Sequence, residues 1–200
     1  RSLPKVYRRQ RQMCIRDRYV TVSQASKRDL VALGVREEDI EIVENGVDLV
    51  PAHTPVLHDD QRLHLVTLSR LVPHKRIEEA IDAVAGMEGA VLDVVGSGWW
   101  EDQLREYAAP YGDKVVFHGH VSEPYKHALL ERAELHLLPS RKEGWGIAVI
   151  EAAQHGVPTV AYASAGGVAD SVRDRETGRL VQPGEEFGEG VGETMGRREA

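Results

Sequence analysis

The sequence predicts an α/β fold built on a doubly wound parallel sheet, and three observations carry that prediction. Five short runs are almost continuously apolar or β-branched, the pattern of strands buried on both faces. Helical stretches of about ten residues separate them, and such alternation is how a parallel sheet is wound. The residues that break the apolar rhythm, among them glycines, two cations and a carboxylate, fall in the loops that follow the runs.

In chain order, Arg1 to Arg18 has neither a hydrophobic period nor the apolar centre of a signal peptide. Seven Lys/Arg against one acid give this head +6 and leave −13 on the rest of a chain whose net charge is −7. A basic arm for nucleic acid or anionic lipid is one reading. The other is that Val6-Tyr7-Arg8-Arg9-Gln10 and Met13-Cys14-Ile15-Arg16-Asp17 resemble two reading frames of one transposase adapter oligonucleotide. Residues 1–18 are accordingly expected to be an unstructured appendage foreign to the fold. Tyr19 to Val22 is a β-rich run, Ser23 is placed to cap the polar helix after it, and Gly34 to close that helix. Ile40 to Val43 predicts another strand, ended by the Asn45-Gly46 turn. Residues 51–62, with Pro51, Pro55 and no period, read as a linker.

A Rossmann-like domain is expected over 63–182. Its strands are Leu63–Leu68, Ala90–Val95, Val115–His118, Leu135–Leu138 and Thr159–Tyr162, with Leu180-Val181 beginning a sixth. Its helices are Ile77–Met87, Trp99–Ala109, Glu123–Ala133 and Ile147–His155. Residues 183–200 carry four glycines between Gly188 and Gly196, each costing a helix ~1 kcal/mol. That tail is expected to be aberrant, as after a frameshift, or flexible.

Composition narrows the function. A chain 42% hydrophobic and 28% charged is globular rather than disordered. Its net charge of −7 argues against a nucleic-acid partner. No apolar run approaches the ~18 residues a membrane-spanning helix needs. The single cysteine, Cys14, excludes a disulfide framework and a cysteine-based zinc site.

Ligands of open α/β sheets bind outside the carboxyl ends of the strands. The loops expected there are Ser69-Arg70-Leu71-Val72-Pro73-His74-Lys75, Gly96-Ser97-Gly98, Gly119-His120, Pro139 to Gly146, and Ser164-Ala165-Gly166-Gly167. One such loop would be turn chemistry; five in order make a site. Arg70 and Lys75 supply a fork and a point charge, a pairing suited to a diphosphate. Gly144 and Gly146 let the backbone approach an anion or sugar hydroxyls, and the helix beginning near Gly146 points its amides there. Glu143 and Glu151, two helical turns apart, can accept hydrogen bonds from sugar and ribose hydroxyls. Glu151 lies among apolar Val149, Ile150, Ala152 and Ala153, where a carboxylate wants a partner.

From Val20 to Val181 the chain resembles the retaining family 4 glycosyltransferases of GT-B fold, chiefly their carboxy-terminal, donor-binding domain. The matching features are Asn45-Gly46-Val47-Asp48, Ser69-Arg70 followed by Lys75, Gly96-Ser97-Gly98 and Phe117-His118-Gly119. The most specific is Pro139-Ser140, Glu143-Gly144-Trp145-Gly146, Glu151-Ala152 and Gly156-Val157-Pro158, completed by Gly166-Gly167. Where the family usually has Lys-Gly, this chain has Lys75-Arg76.

The resemblance implies roles. Arg70, Lys75 and Glu143 would be the catalytic residues, the two cations neutralising a nucleotide diphosphate that is also the leaving group, with no metal and no cofactor beyond the donor substrate. Glu143 with the Gly144, Trp145 and Gly146 backbone would hold the donor sugar. Glu151 would hold the ribose, Gly96 and Gly98 would line the donor site, and the Gly119–Val121 backbone would meet the base. Residues 19–50 would be the last elements of an amino-terminal, acceptor-binding domain otherwise missing, which leaves the acceptor unnamed and the isolated chain inactive. The expected setting is the bacterial cytoplasm, with any membrane contact peripheral, at its inner face and through the missing domain.

For the base, Glu123 could accept from both the ring N–H and the exocyclic amine of guanine, while Lys126 donates to its carbonyl oxygen. That favours a GDP-sugar, GDP-mannose first, over a UDP-sugar. Three rival readings stand beside this one: a nicotinamide-binding oxidoreductase, whose glycine fingerprint fails at Glu101, a metal site at His118 and His120, which lacks an evident third ligand, and a fragment that binds nucleotide and catalyses nothing.

Overall fold

The computed structural model describes residues 18–55 and 61–196, so the expectations for residues 1–17 lie outside the described residues. The chain runs through β1 (Tyr19–Thr21), α1 (Gln24–Ala32), β2 (Ile40–Ile42), β3 (Leu63–Leu68), α2 (Ile77–Ala85), β4 (Ala90–Val95) and α3 (Glu101–Ala108). It continues through β5 (Val115–Gly119), α4 (Glu123–Arg132), β6 (Leu135–Leu138), α5 (Ile147–Ala153), β7 (Thr159–Tyr162), α6 (Val168–Ser171), β8 (Gly178–Val181) and α7 (Phe187–Gly196).

Strands β3 to β8 form one parallel sheet in the order β5-β4-β3-β6-β7-β8. The expected α/β doubly wound architecture is therefore observed. The chain winds outward from β3 to β5, returns to lay β6 on the other side of β3, and winds outward again to β8. That reversal opens a crevice beyond the carboxyl ends of β3 and β6, where sheets of this kind bind ligands.

The uninterrupted apolar strands follow from coverage on both faces. Leu65 and Leu137 pack with Ile77 and Ile81 of α2 on one face, while Val66 meets Leu129 and Leu130 of α4 and Ala152 of α5 on the other. All six residues of β4 are buried. Each fully buried leucine contributes roughly 1.5–3 kcal/mol.

β1 and β2 pair as a separate two-stranded parallel sheet with Tyr19 opposite Ile40. Ser23 caps α1 as expected, its Oγ accepting from the Ser26 amide at 3.1 Å. Gly34 follows α1 at φ +91°, a left-handed value that suits glycine. This unit is tied to the large sheet by the Gln24 amide, which donates to Asp170 Oδ2 at 2.7 Å, and by Gln154 Nε2, which donates to the Asp48 carbonyl at 2.8 Å. In the segment read as a linker, residues 51–55 have no helix or strand, and 56–60 lie outside the described residues. His53 nevertheless docks on α4, its Nε2 2.9 Å from Glu131 Oε2.

The tail corrects an expectation. Rather than an aberrant or flexible end, residues 187–196 form α7, with Phe187, Val191 and Met195 buried at four-residue spacing on one face. Burial of that face against the first apolar layer outweighs the poor helix propensity of its glycines. One glycine is required there. A Cβ on Gly190 would come within 2.5 Å of Val181 Cγ2.

Candidate functional site

After β3 the chain passes through Ser69-Arg70-Leu71-Val72 into a 3₁₀ turn at Pro73–Lys75. Arg76, at φ +51°, holds the left-handed conformation that glycine would take more easily and starts α2. After β6 the loop carries Glu143, Gly144, Trp145 and Gly146, and Gly146 at φ +88° precedes α5. The Glu143 segment is sewn to the loop after β7. Its amide donates to the Ala165 carbonyl at 2.6 Å, and its carbonyl accepts from the Gly167 amide at 2.9 Å. Only glycine fits at 167, where a Cβ would sit 1.9 Å from the Gly144 carbonyl oxygen. Gly166-Gly167 therefore act through packing that fixes Glu143.

Across the crevice, Lys75 Nζ donates to Glu143 Oε1, and both side chains are largely buried, at 15% and 12% exposure. They line a cavity of about 330 Å³ together with Gly144, Trp145 and Gly146. Val22 and Asn45 of the amino-terminal unit also line it. A cation and a carboxylate facing one cavity, with glycine backbone between them, can hold a diphosphate and a polyhydroxylated ring side by side.

Arg70 is not brought into this cavity. It stands exposed, and among the described residues no ion pair holds it. Gly96 and Gly98 have a packing reason instead of a visible ligand-facing one. A Cβ on Gly96 would sit 1.9 Å from the Ser69 carbonyl oxygen, and one on Gly98 2.0 Å from that of Leu71. The close approach lets the Leu71 amide donate to the Ser97 carbonyl at 3.0 Å, which fixes the loop carrying Arg70. Gly119, at φ +67°, accepts from the Gly96 amide at 2.8 Å and extends the same stitching to β5.

Glu123, Lys126 and Glu151 form a second group. Lys126 Nζ donates to Glu123 Oε2 at 2.5 Å and to Glu151 Oε1 at 2.7 Å. Two of the three Lys126 protons thus go to carboxylates, which leaves one for the base carbonyl it was expected to read. The hydrogen bond from Lys126 also holds Glu123 below the usual carboxylate range. Val121 is half-buried against the layer under α4 and α5.

His118 is engaged elsewhere. Its Nε2 lies 2.7 Å from Asp93 Oδ1, and the same buried carboxylate meets His64 Nδ1 at 3.0 Å and Arg132 at 2.5 Å. His120 is exposed, and the described residues contain no group of three or more side chains placed to hold a metal ion. The sequence reading missed the Lys75–Glu143 bond, the Lys126 bridge and the contribution of Val22 to the cavity. All three depend on how loops and helices meet across the sheet, and no spacing within one segment encodes that.

The lipopolysaccharide 1,6-galactosyltransferase of Escherichia coli (strain K12) is 24% identical over 176 residues, covering 84% of this chain and 49% of that protein. The GDP-mannose-dependent alpha-(1-6)-phosphatidylinositol monomannoside mannosyltransferase of Mycobacterium tuberculosis (strain ATCC 25618 / H37Rv) is 35% identical over 137 residues, covering 60% and 34%. The chain spans about half the length, or less, of these relatives. In fold it is similar to Anabaena Alr3699/HepE in complex with UDP-glucose, with a TM-score of 0.76 at 24% identity, covering 92% of this chain and 54% of that one. Residues 52–198 match the family of glycosyl transferases group 1, and the chain belongs to that family.

Proposed function

We propose that the chain is the donor-binding part of a retaining, family 4 glycosyltransferase that moves a hexose from a nucleoside diphosphate to a lipid or glycan acceptor. The observation that carries this reading is the Lys75–Glu143 pair at the crevice between β3 and β6. A diphosphate competes with Glu143 for the Lys75 ammonium, and Glu143, released, accepts from the hydroxyls of the transferred sugar. Arg70, exposed at the rim, adds the second cation. As the bond from the sugar's anomeric carbon to phosphate breaks, the negative charge that grows on the departing diphosphate is met by Lys75 and Arg70. The backbone of Gly144, Trp145 and Gly146 borders the sugar, and Glu151 meets the ribose. None of these steps asks for a metal or a cofactor other than the donor. We place the parent enzyme in the cytoplasm, with any membrane contact peripheral.

For the donor we favour GDP-mannose. Glu123 has a side chain 69% exposed and is kept ionised by Lys126, so it presents a carboxylate at the edge where the Gly119–Val121 backbone would meet a base. Each oxygen accepts more than one bond, and guanine offers two adjacent N–H groups. The relative named GDP-mannose-dependent, at 35% identity, supports this choice. The second reading is a UDP-sugar, favoured by the similar fold that holds UDP-glucose. A thermal-shift comparison of GDP and UDP on this chain decides between them. The expected result is a larger shift with GDP that shrinks to the UDP value in Glu123→Gln. A larger shift with UDP assigns the site to uridine.

A further inference from the structure

Lys126 lies in the first turn of α4 and is only 9% exposed, although its only hydrogen-bonding group is a cation. Removing an ammonium from water is costly unless the protein replaces the lost hydrogen bonds. Here both replacements are carboxylates from different places: Glu123, three residues back on α4, and Glu151, 25 residues away on α5. Glu151 is itself largely buried, with a side chain 17% exposed. A glutamate has three rotatable side-chain bonds, and the bond from Lys126 to Oε1 fixes the plane of the carboxylate and leaves Oε2 with a defined direction.

We propose that Lys126 is a positioning residue for the donor's ribose: its ammonium, bridging Glu123 and Glu151, orients the Glu151 carboxylate so that the second oxygen accepts from the ribose hydroxyls. The inference rests on the donor-binding reading above and assigns Lys126 a part in it other than contact with the base. Two physical effects follow from the bridge. The carboxylate is preorganised, so the ligand does not have to order it on binding. The bridge also places one positive charge between two negative ones close to an anionic nucleotide, which reduces the repulsion a bare carboxylate pair would exert. Burial opposes the charge on Lys126, but its bonds to Glu123 and Glu151 outweigh that and raise its pKa above the ordinary lysine value. The bridge is therefore intact at neutral pH.

The test is calorimetric titration of the 200-residue chain with UDP, GDP, 2′,3′-dideoxy-UDP and inorganic pyrophosphate. The chain with Lys126 is expected to prefer UDP over the dideoxy form by about tenfold or more, the value of a hydroxyl bonded to a carboxylate. Lys126→Met should lose that preference, weaken both UDP and GDP, and leave pyrophosphate unchanged. Lys126→Gln, which is uncharged and too short to reach both carboxylates, should do the same if the methionine variant does not fold. Lys126→Arg, which keeps the charge and both bonds, should restore the preference. A merely structural role would move pyrophosphate affinity along with the others. A ribose preference that survives in the folded Met or Gln variant overturns the inference, as does a loss confined to GDP, which would make Lys126 a reader of the base. Absence of all nucleotide binding by the unaltered chain overturns the donor-binding reading itself.

Discussion

Arg70 and Lys75 share one loop and one charge, yet their surroundings differ. Arg70 is exposed and no ion pair among the described residues holds it, whereas Lys75 is mostly buried and bonded to Glu143. The two alanine variants should therefore separate folding from binding. Arg70→Ala should leave stability within about 0.5 kcal/mol of the parent value, as surface changes do, while weakening diphosphate binding by roughly tenfold, as loss of a charge-assisted bond does. Lys75→Ala should weaken binding too, and should also lower stability by roughly 1–3 kcal/mol because Glu143 is left part-buried without its cation. Denaturant melts and pyrophosphate titration of both variants check this, and equal stability losses would contradict the assigned surroundings. The chemical character of these side chains was legible in the sequence because each follows an apolar run that could only be a buried strand. Their partners were not. Gly96 and Gly98 read as ligand-facing glycines, and the atoms that exclude a side chain there turn out to be the carbonyl oxygens of Ser69 and Leu71.

Among the elements, β3, β4, β6 and β7 match their expected bounds to the residue, because strands covered on both faces read as near-continuous apolar runs whose ends stand out against polar loops. The helices come out one to three residues shorter than read, as at Ile77–Ala85, where the last turn opens at Gly86. α7 was illegible for a different reason: its glycines lower helix propensity, and the contacts that compensate come from α2, about a hundred residues away in sequence, and from β8 just before it. Its glycines are not equivalent, which gives a sharp test. At Gly192, exposed and with open space where a side chain would go, alanine should stabilise the chain by up to about 1 kcal/mol through helix propensity alone. At Gly190, whose Cβ would meet Val181 Cγ2 at 2.5 Å, alanine should instead destabilise by about 1–3 kcal/mol because the helix must move off β8. Thermal melts of Gly190→Ala and Gly192→Ala should shift in opposite directions. Shifts of the same sign would mean that α7 does not pack on β8 as described.

For the molecule as a whole, the cavity beside Lys75 and Glu143 is bounded on one side by the large sheet and on the other by Val22 and Asn45 of the two-stranded unit. The groups that would bind and activate a nucleotide-sugar all belong to the loops and helices around the large sheet, and none of them is assigned to an acceptor. Sugar transfer joins two substrates, and holding them in line is worth about 7–11 kcal/mol of the barrier, so half of a site forgoes most of the rate. We therefore expect the 200-residue chain to bind GDP or UDP and yet to transfer no sugar. Mass-spectrometric assay of the purified chain with GDP-mannose, UDP-glucose and UDP-galactose over a panel of glycan and glycolipid acceptors should return only unreacted donor, with at most slow hydrolysis. Binding by calorimetry in the same preparation distinguishes a half-site from an unfolded one. Transfer at an enzyme-like rate would show that the acceptor side is built within these residues, with Val22 and Asn45 the first positions to examine for it.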